Sequence, residues 1–227
     1  MKEAEGIQRV TDLISNYKND QLVVVVSAFG KTTNALEQLL RFHLEKNLKD
    51  QSSAFKKLKT EHFHLTLQLF KDKNHPVFSL LENQFHLLEA DLRKNLEDKY
   101  EAYDLIVGYG ELFSSLIVHY YLLEKNLPSH LVDARTIIHT NSNFTDAAVN
   151  WKNTEKKIND RLMLILKNNE IVLTQGFIGA DDNCNTTTLG REGSDYTASI
   201  IANLIDAEEV SIWKDVPGLM NADPKRF

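Results

Sequence analysis

One cysteine, Cys184, stands in 227 residues, so no internal disulfide framework can form and a reducing compartment suits the chain. Basic residues are not in surplus. Lys and Arg number 26 against 32 Asp and Glu, and the net charge of −6 argues against a nucleic-acid partner. Long apolar runs are missing too. The stretch Leu22 to Val26 is far too short to span a bilayer. The opening residues, Met1-Lys2-Glu3-Ala4-Glu5, lack the apolar core of a signal peptide, and a cytoplasmic location is expected. There is no internal repeat and no low-complexity linker. The eight histidines show no metal-ligand spacing with Cys184, and His62 and His64, two apart, would not share a helix face. No metal site is expected. No cationic neighbour in sequence activates Cys184 as a nucleophile.

What is present is an alternation of helical and strand patterns. Ile7, Val10, Leu13 and Ile14 recur at helical spacing, and Leu22 to Val26 reads as a buried parallel strand. A turn at Ser27 to Asn34 leads into a helix ending near Lys46. From about Ser52 to Tyr103 a three-four rhythm (Phe55, Leu58, His62, Leu65, Leu69, then Leu81, Phe85, Leu88, Leu92) is broken at Lys71 to Pro76. This predicts a helical hairpin inserted between strands. Further strands are expected at Leu105–Val107, His130–Val132, Ile171–Thr174 and Val210–Trp213, with short ones at Ile137–Ile138 and Ala147–Val149. Helices are expected at Leu112–Lys125, Thr154–Lys167 and Asp195–Ile205. Trp151 and Trp213 read as core or packing residues. The pattern implies an α/β fold, a three-layer αβα sandwich around a mainly parallel sheet, with ligands beyond the carboxyl ends of its strands.

The densest chemistry lies in Thr186 to Ser199, where glycines, hydroxyls, Arg191 and Asp195 crowd a turn that opens a helix. Such a turn aims N–H groups at an anion, and Arg191 can grip a carboxylate with two parallel hydrogen bonds. Gly30-Lys31-Thr32 resembles the end of a P-loop, but Val25 stands where that motif needs glycine. Ser27 and Thr33 can still offer hydroxyls to an anion there. Gly108-Tyr109-Gly110-Glu111 reads as a strand-to-helix turn. Its carboxylate either complements the helix dipole or holds a substrate ammonium. Asp181 and Asp182 read as a solvated acidic turn.

Several segments, in order, resemble the aspartokinases of the amino acid kinase family: Val23 to Asn34 (VVVVSAFGKTTN), Gly108 to Ser115 (GYGELFSS), Val132 to Arg135 (VDAR), Gln175 to Gly179 (QGFIG), Thr186 to Thr197 (TTTLGREGSDYT) and Ile212 to Pro224 (IWKDVPGLMNADP). The resemblance spans nearly the whole chain outside the hairpin at about 52–103. It implies transfer of the γ-phosphoryl group of ATP, with Mg²⁺, to the β-carboxylate of L-aspartate, at the head of lysine, threonine and methionine synthesis. It further implies that Arg191 binds the α-carboxylate, that Glu111 faces the ammonium, and that Thr33, Phe177 and Ser194 shape the amino-acid pocket. Ser27 would lie near the phosphates and Asp195 would organise the transfer site. Lys214, Asp215, Met220 and Lys225 would fall in the nucleotide loop, with lysine, methionine and lysine where the family often has threonine, tyrosine and arginine. The family's opening KFGGTS segment, the rest of its nucleotide lobe and its regulatory ACT domains have no counterpart in these 227 residues, so residues 1–227 read as a partial catalytic domain. The same resemblance extends to the kinase part of bifunctional aspartokinase/homoserine dehydrogenases and implies a homo-oligomer in the full-length protein. Two alternatives remain at this level: an inactive amino-acid-binding module, and another amino acid or carbamate kinase of the same fold.

Overall fold

The computed structural model describes residues 3–95, 97–168 and 170–214. Helix α1 (Ala4–Ser15) buries Ile7 and Ile14 and leads to strand β1 (Val23–Val26). Helices α2 (Thr32–Leu44), α3 (Leu48–Leu69), α4 (Pro76–Asp91), α5 (Lys99–Val107) and α6 (Tyr109–Glu124) follow in series. Strand β2 (Ser129–Val132), a 3₁₀ turn (Ala134–Thr136), helix α7 (Trp151–Lys167) and strand β3 (Ile171–Gln175) come next. A short hairpin of β4 (Ile178–Ala180) and β5 (Thr186–Thr188) precedes the last helix, α8 (Gly193–Leu204).

Strands β1, β3 and β2 form a parallel sheet in that order, with Val23 opposite Val172 and Ser129 opposite Ile171. Period-two alternation divides their side chains. Val24, Val26, Ile171, Leu173 and Leu131 join the larger core beneath α1 to α6. Val23, Val25, Val172 and Val132 face the smaller core under α7 and α8. Because each strand is apolar on both faces, it needs helices on both, and the three-layer αβα sandwich results. At the centre of the larger core, Phe85 and Phe113 stack with ring centroids 4.3 Å apart.

Local signals explain the hairpin. Asn47 caps α3 by accepting from the Asp50 N–H, and His75 caps α4 with Pro76 at its first position.

Several expectations need correction. Leu105–Val107 is the end of α5, not a strand. Asp98 accepts from the N–H groups of Tyr100 and Glu101, and this cap starts a helix that the three apolar residues complete. Ile137–Ile138 and Ala147–Val149 form no strands; only single bridges occur nearby, His139 to Ala180 and Thr140 to Val149. Residues 210–214 adopt no regular structure, and Val210, Ile212 and Trp213 are exposed. Trp151 and Trp213 are 46% and 67% exposed, so neither is a core residue. The acidic turn is half correct: Asp182 is exposed beside His139, whereas Asp181 is buried and accepts from Ser142 Oγ and the N–H groups of Asn183 and Asn185. Residues Lys99–Glu124 are long and apolar enough to cross a membrane, yet 78% of their most apolar window is buried, as in a core helix.

Candidate active site

The carboxyl ends of β1 and β3 lie side by side, joined by a 2.9 Å hydrogen bond from the Gly176 N–H to the Val26 carbonyl. Beyond β1 the chain turns through Ser27, Ala28, Phe29 and a left-handed Gly30 (φ +50°), and α2 begins with Thr32 and Thr33. The start of α6 packs against this loop. A Cβ added to Gly110 would fall 2.9 Å from Ala28 Cβ, so only glycine lets the two segments meet. Glu111, next in α6, is 3% exposed, and its Oε1 accepts from the Ala28 N–H at 3.2 Å. Its Oε2 is buried with no hydrogen-bond partner among the described residues. Burial pushes the carboxyl up to about 8, against the opposing pull of backbone N–H groups at Ala28 and Glu111 itself. The Gly108–Glu111 segment therefore lies between two helices rather than after a strand. It reaches the sheet through Ala28.

On the β3 side, Gly176 lies against Ser194; a Cβ there would come within 2.7 Å of the Ser194 Oγ, Cβ and Cα. Phe177 adopts φ +69°, donates its N–H to Thr197 Oγ1 and accepts from the Leu189 N–H. These bonds pin the first turn of α8 to the end of the sheet. Left-handed Gly190 (φ +72°) and Glu192 (φ +56°) bracket Arg191, whose side chain is exposed and in no ion pair among the described residues. Asp195, in the first turn of α8, lies 2.5 Å from Lys214 Nζ, and Glu192 lies 2.8 Å from the same atom. Asp195 and Glu192 raise the Lys214 pKa, and Lys214 lowers that of Glu192.

Ser27, Thr33, Glu111, Phe177, Ser194 and Asp195 are thus carried by three linked segments at one end of the sheet, with Arg191 on the adjoining turn and Lys214 over Asp195. Asp215, Met220 and Lys225 lie outside the described residues. Among the described residues no group of three or more His, Cys, Asp or Glu side chains is placed to hold a metal.

Sequence reasoning missed two struts. Gln175 donates from Nε2 to Ser115 Oγ and accepts the Ala134 N–H on Oε1, both at 2.7 Å. A polar side chain ending an apolar strand was its one signal. Asp104, fully buried in α5, accepts from Thr145 and Thr188. It was hidden in a segment read as the approach to a strand.

The amino acid kinase family model matches residues 1–227, and the chain belongs to that family. Within it, the chain is similar to lysine-sensitive aspartokinase 3 of Escherichia coli (strain K12), 32% identical over 228 residues that cover 97% of this chain and 48% of that protein. It is similar as well to the aspartokinase of Chlamydia muridarum (strain MoPn / Nigg), at 32% identity over 98% of this chain and 47% of that one. Among solved structures, E. coli aspartokinase III in complex with lysine and aspartate superposes with a TM-score of 0.87 at 29% identity, covering 98% of this chain and 49% of that chain. The same enzyme in complex with aspartate and ADP gives 0.85 at 28%. The chain spans about half the length of these relatives.

Proposed function

We propose that this site belongs to an aspartate kinase, which transfers the γ-phosphoryl group of ATP to the β-carboxylate of L-aspartate and gives 4-phospho-L-aspartate and ADP. One observation carries the reading. Among the described residues, a buried glutamate with an unpartnered oxygen, Glu111 in the first turn of α6, and an exposed arginine in no ion pair, Arg191, lie on segments linked at the carboxyl end of the sheet. They are the anion and the bidentate cation that an α-amino acid's ammonium and carboxylate require. The similarity to aspartokinases, one of them solved twice with aspartate bound, points to the same substrate.

In this reading Arg191 grips the α-carboxylate and Glu111 takes the ammonium. Thr33, Phe177 and Ser194 set the position of the β-carboxylate. That carboxylate is already anionic at neutral pH, so no general base is needed. Its oxygen forms a bond to the γ-phosphorus as the bond from that phosphorus to the β,γ-bridging oxygen breaks, and the electron pair leaves with ADP. The protein supplies position and charge. Ser27 and the first turn of α2 face the phosphates, and Lys214, released from Asp195 and Glu192, is a further phosphate contact. Lys214, Asp215, Met220 and Lys225 belong to the nucleotide loop. Mg²⁺ is commonly held by one or two carboxylates together with substrate phosphates, and a carboxylate in the first turn of α8 would supply one such ligand once Lys214 has left it. Asp195 is the carboxylate available. When bound, the ion would neutralise charge on the transferring phosphates. A negative chain with one free cysteine further suits a cytoplasmic enzyme of lysine and threonine synthesis that has no nucleic-acid or membrane partner. We read the full-length protein as a homo-oligomer.

Arg191→Ala in the full-length protein tests the assignment. Leaving a bound carboxylate without its charged partner costs roughly 2–5 kcal/mol. That corresponds to about a 30- to several-thousand-fold loss in kcat/KM for aspartate, with a far smaller change in ATP affinity. Arg191→Lys should restore little, because lysine keeps the charge and loses the fork. Near-normal kcat/KM for aspartate in Arg191→Ala would overturn the reading.

A further inference from the structure

We infer that Asp104 is the positioning residue that fixes Arg191 relative to Glu111, and so sets the fit of the amino-acid substrate. The inference rests on the aspartate reading above and assigns its two ends to a single buried support. Asp104 is fully buried in α5. Its Oδ1 accepts from Thr188 Oγ1 at 2.7 Å and its Oδ2 from the Thr188 N–H at 2.8 Å. The Thr145 N–H reaches both oxygens, at 3.1 and 3.0 Å. No lysine or arginine pairs with it among the described residues. Three neutral donors, two of them backbone N–H groups from distant segments, converge on one anion.

Those donors belong to the bed of the Arg191 turn. Thr188 ends β5, three residues before Arg191, and its carbonyl accepts from the Ala147 N–H at 2.9 Å. Thr145 is held left-handed at φ +70°. Gly190 rests on this same segment: a Cβ there would lie 2.8 Å from Asp146 Oδ1 and 3.3 Å from the Thr145 carbonyl. The other side of Asp104 leads to Glu111. The side chain anchors the last turn of α5, and the ordinary helical bond from the Gly108 N–H to the Asp104 carbonyl, 3.1 Å, carries that anchorage to the junction where α5 gives way to α6. Gly108 in turn packs on Thr186 and Ile178 of the β4–β5 hairpin. One residue therefore ties the α5–α6 junction, just ahead of Glu111, to the strand that leads into the Arg191 turn.

Alanine tests the role most directly. An asparagine could still accept the Thr188 and Thr145 N–H groups on its oxygen and donate from its NH₂ to the Thr188 hydroxyl, whereas Asp104→Ala removes every acceptor and leaves those three donors unpaired. The expected result is a displaced Arg191 turn rather than an unfolded chain, and small misplacements of binding groups cost about 10- to 100-fold.

The experiment uses Asp104→Ala in the full-length protein, with aspartate and ATP varied separately and with backbone amide exchange followed at Gly108, Ala147 and Thr188. A rise in the aspartate KM of about 10- to 100-fold with an ATP KM within about threefold supports the inference. Equal changes in both KM values, or an unchanged aspartate KM alongside faster exchange at Thr188, overturns it. Should Asp104→Ala fail to fold, Thr188→Val removes only the hydroxyl donor. It should raise the aspartate KM several-fold and leave that for ATP alone, and an unchanged aspartate KM overturns the inference. If the unaltered protein phosphorylates no aspartate, the substrate reading fails by itself. Positioning is then decided by exchange: loss of protection in Asp104→Ala at both Ala147, whose N–H bonds the Thr188 carbonyl, and Gly108, whose N–H bonds the Asp104 carbonyl, supports it, and unchanged protection at either overturns it.

Discussion

Glu111 predicts an unusual pH dependence. Its carboxyl is raised from 4.5 to about 8 because burial penalises the charged form and only weak backbone donors oppose it. The fold therefore prefers the protonated acid. The resulting stability is fully present below pH 4.5, falls as pH rises, and is lost through pH 8 as the folded protein ionises. At about 1.4 kcal/mol per pH unit, the whole effect is on the order of 5 kcal/mol. Glu111→Gln keeps the shape and removes the charge. Urea unfolding of the full-length protein from pH 5 to pH 9 should show the wild type losing stability across this range, whereas Glu111→Gln should lack that component and be the more stable form at pH 9. A bound ammonium reverses the preference, so amino-acid affinity should rise up to about tenfold per pH unit below 8 and then level off. Two parallel stability curves would refute the reasoning, because they would show Glu111 ionised throughout.

Two further substitutions probe the β3 side of the site. Gly176→Ala should push the first turn of α8 off the sheet, since the new Cβ meets Ser194 within 2.7 Å, one of the contacts being the backbone Cα. A stability loss of about 1–3 kcal/mol and a larger loss of kcat/KM are expected, read by denaturant titration and steady-state kinetics. Lys214→Met breaks two exposed ion pairs, with Glu192 and Asp195, and should leave the melting temperature unchanged while raising the KM for ATP. An unchanged KM for ATP would remove Lys214 from the nucleotide site.

The layered architecture was readable because β1 and β3 are runs of β-branched and apolar residues, and because the helices repeat at three and four. What failed was short. Leu105–Val107 is too brief for its periodicity to distinguish helix from strand, and the decisive cap, Asp98, sits seven residues upstream. The β4–β5 hairpin hides in polar letters. Thr186, Thr187 and Thr188 look like a turn, yet all three are buried and paired with Ile178 to Ala180. Arg191 and Glu111 stood out for their local setting. Asp104 and Gln175 act on partners 84 and 60 residues away, which no local pattern reveals.

The pairing of β1 with β3 also governs how the chain acquires its shape. Val23 meets Val172, so the first strand waits for 149 further residues before its neighbour exists. At about 5–20 residues per second, ribosomal synthesis leaves that interval at roughly 7–30 s. During it the four-valine strand lacks the one neighbour it has among the described residues, while the intervening α2 to α6 can gather around Phe85 and Phe113 from contacts closer in sequence. The nascent chain therefore passes through a helical half-protein with an open apolar strand, the kind of species that chaperones retain. The proposed amino-acid site, which draws on segments from both β1 and β3, is assembled only when the sheet closes.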